Sequence, residues 1–339
     1  MMTFGARKLA RRYHKRALNL AEQSGNVPAI AFAWLALAVV DFWDGAWDQF
    51  ETHIAHSAKG YRECGDLHGW SSPAMQTAWV DITRGRLEQA RSQMAAMVQL
   101  GRDSADPLLC SWGLQVLGHA LTITGPLTQA EAALAEGRVV AERIHSVDNL
   151  VHILALHCNC LLLLGRIDEC EPLLEEGHAI VKRERMNRDF DRAELLTSQA
   201  RYLLARAEAA QGEARQAALA KALTACRIGV RCARHMPLWL PATLRLQANA
   251  EWLRGDAAKA QRGWQESLKV AADSAFPIER GLTLLDMGSR TRSPQAVQQA
   301  VELFRSTGAH TYLALAEQQL QDMAGLAPSV ALQAAASRA

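Results

Sequence analysis

An all-α superhelix built from stacked helical hairpins is the architecture this sequence predicts, on three observations. The first is composition. Ala, Leu, Glu, Gln and Arg dominate the chain, and all five favour helix. The second is the near absence of Val-Ile-Thr alternation, which argues against sheets. The third is a repeat. Gly5, Gly45, Gly85, Gly125 and Gly165 recur at one constant interval, four times in succession, and Gly212 and Gly255 continue the series after somewhat longer gaps. A period of about 20–50 residues marks a repeat array.

The positions around each glycine carry the repeat. Seven residues before stand Ala38, Ala78, Gly118, Cys158, Ala205 and Ala248, all small. Five after stand Phe50, Ala90, Ala130, Cys170, Ala217 and Ala260. Nine after stand Ile54, Met94, Leu134, Leu174, Lys221 and Trp264, and twelve after stand Ser57, Met97, Gly137, Gly177, Thr224 and Ser267. Offsets of two, five, nine and twelve trace one face of a helix. The glycine ends the preceding helix, where a left-handed residue is easiest without a Cβ. Small residues before and after it let the two helices approach closely. Gly65-Asp66, Asp106-Pro107, Val147-Asp148-Asn149, Met236-Pro237 and Phe276-Pro277 close the units on their other side. The Gly212 unit fits worst: Lys221 occupies a core position, and the long gap before it implies an insertion. One hairpin cannot bury its apolar face, and stacking hairpins makes a continuous core.

Small at −7, apolar at +2, Ala at +5, bulky apolar at +9 and small at +12 is the tetratricopeptide pattern, here in units longer than the usual ~34 residues. The chain resembles tetratricopeptide superhelices over about residues 5–322, and the resemblance implies a right-handed α-α superhelix. The long units are similar to sensor regions of the maltose-regulon-activator and LuxR type of regulator. They are also similar to the C-terminal regions of AAA or STAND ATPases, some of them fused to adenylate cyclase or kinase modules. AVQQAVELFRSTGAHTYLALAEQQL, residues 296–320, resembles the closing helix pair of such regions. The expected organisation is one repeat domain over 1–323, with closing helices over 278–322, and a disordered Ala- and Ser-rich tail over 324–339.

Gly5 is in phase, yet too few residues precede it for a partner helix. The helix that follows carries an apolar stripe of Leu9, Tyr13, Ala17 and Leu20 beside Arg7, Lys8, Arg11, Arg12, Lys15 and Arg16. Either the chain continues a longer one, or a lone helix caps the array. The apolar run Pro28–Val40 falls short of the ~20 residues that span a bilayer, and no cleavage site follows it. A membrane role is not expected. Seven cysteines without a disulfide framework predict a cytoplasmic protein.

No sequence motif for nucleotide binding, nucleophilic hydrolysis or zinc proteolysis occurs, so neither catalysis nor a cofactor is expected. The net charge is +2 with basic and acidic residues intermixed, which argues against direct nucleic-acid binding. HCNCLLLLGRIDEC, residues 157–170, invites a metal reading. Cys158 and Cys160 lie about 200° apart on a helix, however, and Cys158 and Cys170 hold the small repeat positions. His53 and His56 share a helix face but are two ligands where a structural zinc takes four.

The first helix of each tetratricopeptide unit lines the concave face. Counted back from the turn glycines, its lining runs from apolar Phe32, Leu35 and Val39, through Ser72 and Met75, to a polar and aromatic set. That set is Trp79, Trp112, Gln115, His119, His152, Asn159, Gln199, Tyr202, Arg206, Arg245 and Asn249. Aromatic anchors with directional hydrogen-bond groups suit a protein segment, a peptide or a small-molecule inducer. The expectation is a non-catalytic sensor in a bacterial signalling or transcription-control system, acting with a fused or neighbouring ATPase, cyclase or kinase module. The alternative is a freestanding scaffold that oligomerises through its open N-terminal helix.

Overall fold

The computed structural model describes residues 7–186, 189–234 and 236–325, which form sixteen α-helices and no strand. They run α1 (Arg7–Ser24), α2 (Val27–Asp44), α3 (Trp47–Glu63), α4 (Leu67–Thr83), α5 (Leu87–Asp103), α6 (Pro107–Thr124), α7 (Leu127–Arg143) and α8 (Val147–Leu163). After a short 3₁₀ turn at Ile167–Glu169 come α9 (Cys170–Arg183), α10 (Asp189–Ala209), α11 (Gly212–Ala233) and α12 (Leu240–Leu253). The last four are α13 (Ala257–Asp273), α14 (Pro277–Thr291), α15 (Pro294–Thr307) and α16 (His310–Met323). Gly5 and most of the expected disordered tail lie outside the described residues.

Each helix packs on the next, and even-numbered helices from α4 to α14 also pack on one another. That second set of contacts puts the even helices on the inside of a superhelix and the odd helices outside. The repeat positions explain the packing. Phe50, Ala90, Ala130, Cys170 and Ala260 are all fully buried, as are Met94, Leu134 and Trp264. Gly118 shows why the −7 position must be small: a Cβ there would stand 2.5 Å from Leu134 Cγ.

The turns are more regular than the glycines suggest. Gly25, Gly45, Gly65, Gly85, Ala105, Gly125, His145, Gly165 and Arg185 all have positive φ, so a left-handed residue recurs every 20 positions. Asp66 and Asp106 then cap the following helices, accepting backbone N–H groups of Gly69 and of Leu108 and Leu109. Val147-Asp148-Asn149 is not itself the break. It forms the first turn of α8, and the chain turns at His145 just before it.

The unit after Gly165 departs from this register. Helix α10 has 21 residues and ends at Ala209, so Gly212 opens α11 instead of following directly on its partner. Ala217, Lys221 and Thr224 are exposed. The core face of α11 instead runs through Leu219, Ala222, Cys226 and Val230.

The superhelix meets itself within one turn. A Cβ on Gly45 would stand 2.8 Å from Pro237, and one on Gly85 would stand 2.6 Å from Thr307 and 2.9 Å from Pro277. Trp47 and Phe276 pack with ring centroids 5.3 Å apart. Helix α14 reaches α4, and α16 packs on both α6 and α14. The even helices therefore enclose a narrow interior and do not line an open trough.

The apolar segment near the N-terminus is not too short to cross a membrane: α2 has 18 residues and is long and apolar enough by length and composition. It nevertheless packs on α1 and α3. Its buried Asp41 also accepts hydrogen bonds from Arg11 and His53. The histidine pair on α3 is occupied in the same corner, where Trp34 lies 5.1 Å from His53 and 4.7 Å from His56 between ring centroids.

Candidate binding site in the superhelix interior

The inner rows of α4, α6, α8, α10, α12 and α14 converge on a chain of polar and aromatic groups. At one end, Trp79 packs against His119 and His152, with centroids 4.9 and 6.5 Å away. Burial, with the Arg201 charge adding to it, lowers the His119 imidazole to about 3, so it is neutral at physiological pH.

The middle of the chain is built around Glu194 on α10, which is buried. Asn159 Nδ2 donates to its Oε1 at 3.4 Å, and the Trp239 indole N–H donates to its Oε2. Burial raises the Glu194 carboxyl above its ordinary range, and neither Arg201 nor the Trp239 hydrogen bond reverses that.

At the far end, Arg245 lies between two acids. Its Nη1 donates to Asp286 Oδ2 at 2.7 Å and its Nε to Glu279 Oε2 at 3.3 Å. Asn249 Nδ2 donates to the same Asp286 oxygen at 2.7 Å, and Asn249 Oδ1 accepts the Trp264 indole N–H at 2.9 Å. Burial opposes charge on both Arg245 and Asp286. Their mutual attraction outweighs it, holding the guanidinium above its usual value and the carboxyl below. Arg290 Nη2 completes the rim by donating to Glu208 Oε1 at 2.6 Å.

A cavity of about 260 Å³ opens beside this network, bounded by α8, α10, α12, α14 and α16. Leu204, Leu246, Leu282 and Leu285 supply apolar wall, and Asn159, Arg201, Asn249, Asp286 and Tyr312 supply polar groups.

The residues expected from the repeat divide four ways. Trp79, His119 and His152 meet at one end of the interior, and Asn159, Arg245 and Asn249 line the cavity. Gln115 is buried and Trp112 half-buried against the core. The α10 residues fall elsewhere. Gln199 and Tyr202 face a separate outer cleft of about 580 Å³ between α9 and α11. Arg206 is exposed and pairs with Asp168 at 3.0 Å.

The reason is phase. Because α10 ends earlier relative to Gly212 than its counterparts end relative to theirs, counting back from that glycine lands one position late. The inward row is Glu194, Arg201, Ala205 and Glu208. Sequence reasoning missed Arg201 for this reason, and Glu194 because it lies before the counted positions. It missed Asp286, Arg290 and Tyr312 because no turn glycine keys the helices that carry them.

The cysteines of residues 157–170 are packing groups. Cys158, Cys160 and Cys170 are in the core, and Cys170 Sγ donates to the Cys158 carbonyl at 3.5 Å. Among the described residues, no three His, Cys, Asp or Glu side chains stand together as a metal site would require.

Comparison with solved structures supports the architecture. The chain is similar to a Rap protein crystallised with competence and sporulation factor, at a TM-score of 0.61 and 12% identity, over 90% of this chain and 80% of that one. It also aligns with the tetratricopeptide domain of P58(IPK), at 10% identity over 92% and 98% of the two chains, but the TM-score of 0.22 carries no weight. No family model matches the sequence, and no curated protein matches it. The fold is a tetratricopeptide-like right-handed α-α superhelix.

Proposed function

We propose that the protein is a non-catalytic recognition module that binds a protein segment, a peptide or a small inducer in its interior. It would serve as the regulatory part of a bacterial signalling or transcription-control system. The observation that carries this reading is the convergence of six helices on one row of polar and aromatic groups beside a cavity. Buried polar groups cost stability unless paired, and concave sites with a few convergent polar groups are where ligands bind. The Rap protein of similar fold was crystallised with a bound factor, which is consistent with an interior used for recognition. The ionisable groups do not suit catalysis: His119 is neutral and packed against Trp79, and Asp286 and Glu279 are held by Arg245.

The test is titration of the full-length protein with pools of short random peptides and with small metabolites, followed by Trp fluorescence. Binding weakened by His119→Ala or Arg201→Gln supports the reading. Binding that survives both substitutions overturns it.

A second reading has its own observation. Leu9, Tyr13 and Leu20 on α1 are 51%, 61% and 57% exposed, an apolar row that suits a scaffold or oligomerisation face. Light scattering separates the two. A dimer abolished by Leu9→Glu supports the scaffold, and a monomer removes it.

A further inference from the structure

We propose that the cavity between α8, α10, α12, α14 and α16 takes one free 2-amino acid with an apolar side chain. The inference rests on the recognition reading and narrows its ligand.

The arginines of the cavity are not equivalent. Arg245 and Arg290 are each hydrogen-bonded to carboxylates. Arg201 makes no hydrogen bond among the described residues, and its nearest acid is Glu279 Oε1 at 3.8 Å. Arg201 also lines the cavity and is only partly exposed. A guanidinium with open donors in a partly dry wall is the group that selects a carboxylate.

An acceptor waits on the neighbouring helix α8. Asn159 is 8% exposed, and its Oδ1 has no partner among the described residues although its Nδ2 is bonded to Glu194. A buried carbonyl oxygen without a donor is destabilising, so a ligand bringing an N–H gains by satisfying it. Glu208 and Asp286, in the same wall, receive a positive donor better than a neutral one. Tyr312 adds a further polar residue to the wall.

The remaining wall sets the rest of the ligand. Leu204, Leu246, Leu282 and Leu285 ask for an apolar side chain. The wall carries Arg201, Arg245 and Arg290 against Glu208 and Asp286, with Glu279 3.8 Å from Arg201, so its charges nearly cancel and a net-neutral zwitterion is matched better than a dianion such as a phosphate ester. A volume of about 260 Å³ lies just below the range of drug-sized pockets. It suits a molecule the size of one amino acid rather than a run of peptide.

The experiment is calorimetric titration of the full-length protein with leucine, isoleucine, methionine and phenylalanine. Saturable binding of at least one is expected. Leucinamide lacks the carboxylate and N-acetylleucine lacks the charged amine, and each should bind about tenfold more weakly or worse. Arg201→Gln, which breaks no hydrogen bond, should weaken binding about tenfold. Ala205→Leu, which fills the cavity from α10, should abolish it while circular dichroism stays unchanged. Absence of binding by all four amino acids overturns the proposal, as does binding indifferent to Arg201→Gln and Ala205→Leu. If short random peptides bind the interior and free amino acids do not, the recognition reading stands and this proposal alone falls.

Discussion

The units from α2 to α9 and the units from α10 to α16 obey the same packing rules with opposite results. In the first stretch, α2 to α8 are each 17 or 18 residues long, and left-handed residues recur at an even spacing. Helices lie so close that a Cβ on Gly101 would stand 2.7 Å from the Cys110 backbone N. In the second stretch, helix lengths run from 14 residues in α12 to 22 residues in α11. The longest two, α10 and α11, border the interior cavity and the outer cleft. The interior cavity and the outer cleft both border the longer unit. Here the room arises where a longer unit interrupts the register, and the vacated wall is filled with charge.

The sharpest test of that contrast is electrostatic. Arg245→Ala strips the cation from between Glu279 and Asp286, and removing one partner of a buried pair costs about 3–5 kcal/mol. In the regular stretch Arg102 pairs with Glu136 at 2.7 Å, but both are about half exposed. Arg102→Ala should therefore cost under about 1 kcal/mol. Urea midpoints of the two variants measure the difference, and equal losses would break the comparison.

Packing supplies the next largest effect. Gly101→Ala drives a Cβ into the Cys110 backbone, which cannot yield as a side chain can. Overpacking of this kind costs about 1–3 kcal/mol, against at most about 1 kcal/mol gained in helix propensity. Ala205→Leu adds three carbons to the wall of the cavity and should be close to neutral by thermal melting. A strongly destabilising Ala205→Leu would show that the cavity is no roomier than the regular repeats.

The third effect depends on pH. The unfolded His119 takes up a proton below its ordinary 6.5, and the folded one resists until about 3. The unfolded state thus binds more protons in this window, and stability falls as the pH drops through it, by up to roughly 1.4 kcal/mol per unit. Burial also lowers His157 and His178, so the slope is shared. The difference between wild type and His119→Gln isolates one part. The variant should lose less stability between pH 6.5 and 4, measured by chemical denaturation. An unchanged slope would place His119 in contact with solvent.

How far the sequence could be read follows the same divide. Glycine spacing located the hairpins and their core positions because glycine is the cheapest residue at φ > 0. It also placed Trp79, His119, His152 and Asn159 on the interior. It misplaced Gln199, Tyr202 and Arg206, because a turn of different length rotates a helix by about 100° per residue while leaving its composition unchanged. Arg201 and Glu194 were invisible to that counting. The ion network of Arg245 was invisible for another reason. Glu279 and Asp286 come to it from α14, which follows α13 in sequence but packs directly on α12, and no local pattern reports such a meeting.

The smallest predicted effect concerns the turns that the glycines did not reveal. Ala105, His145 and Arg185 hold φ of 54°, 54° and 50° at the positions where Gly25 and Gly65 stand in earlier units. A Cβ in this region costs about 1–2 kcal/mol, and glycine returns part of that through unfolded-chain entropy, about 0.4–1 kcal/mol. Ala105→Gly should then stabilise the protein by about 0.5–1 kcal/mol. Gly65→Ala should destabilise it by a similar amount, since nothing lies within 4 Å of a Cβ there and only the backbone term changes. Paired melting curves of the two variants test whether the rhythm of the turns is set by backbone conformation. If Ala105→Gly is neutral while Gly65→Ala is costly, the turn at Ala105 is held by its neighbours instead.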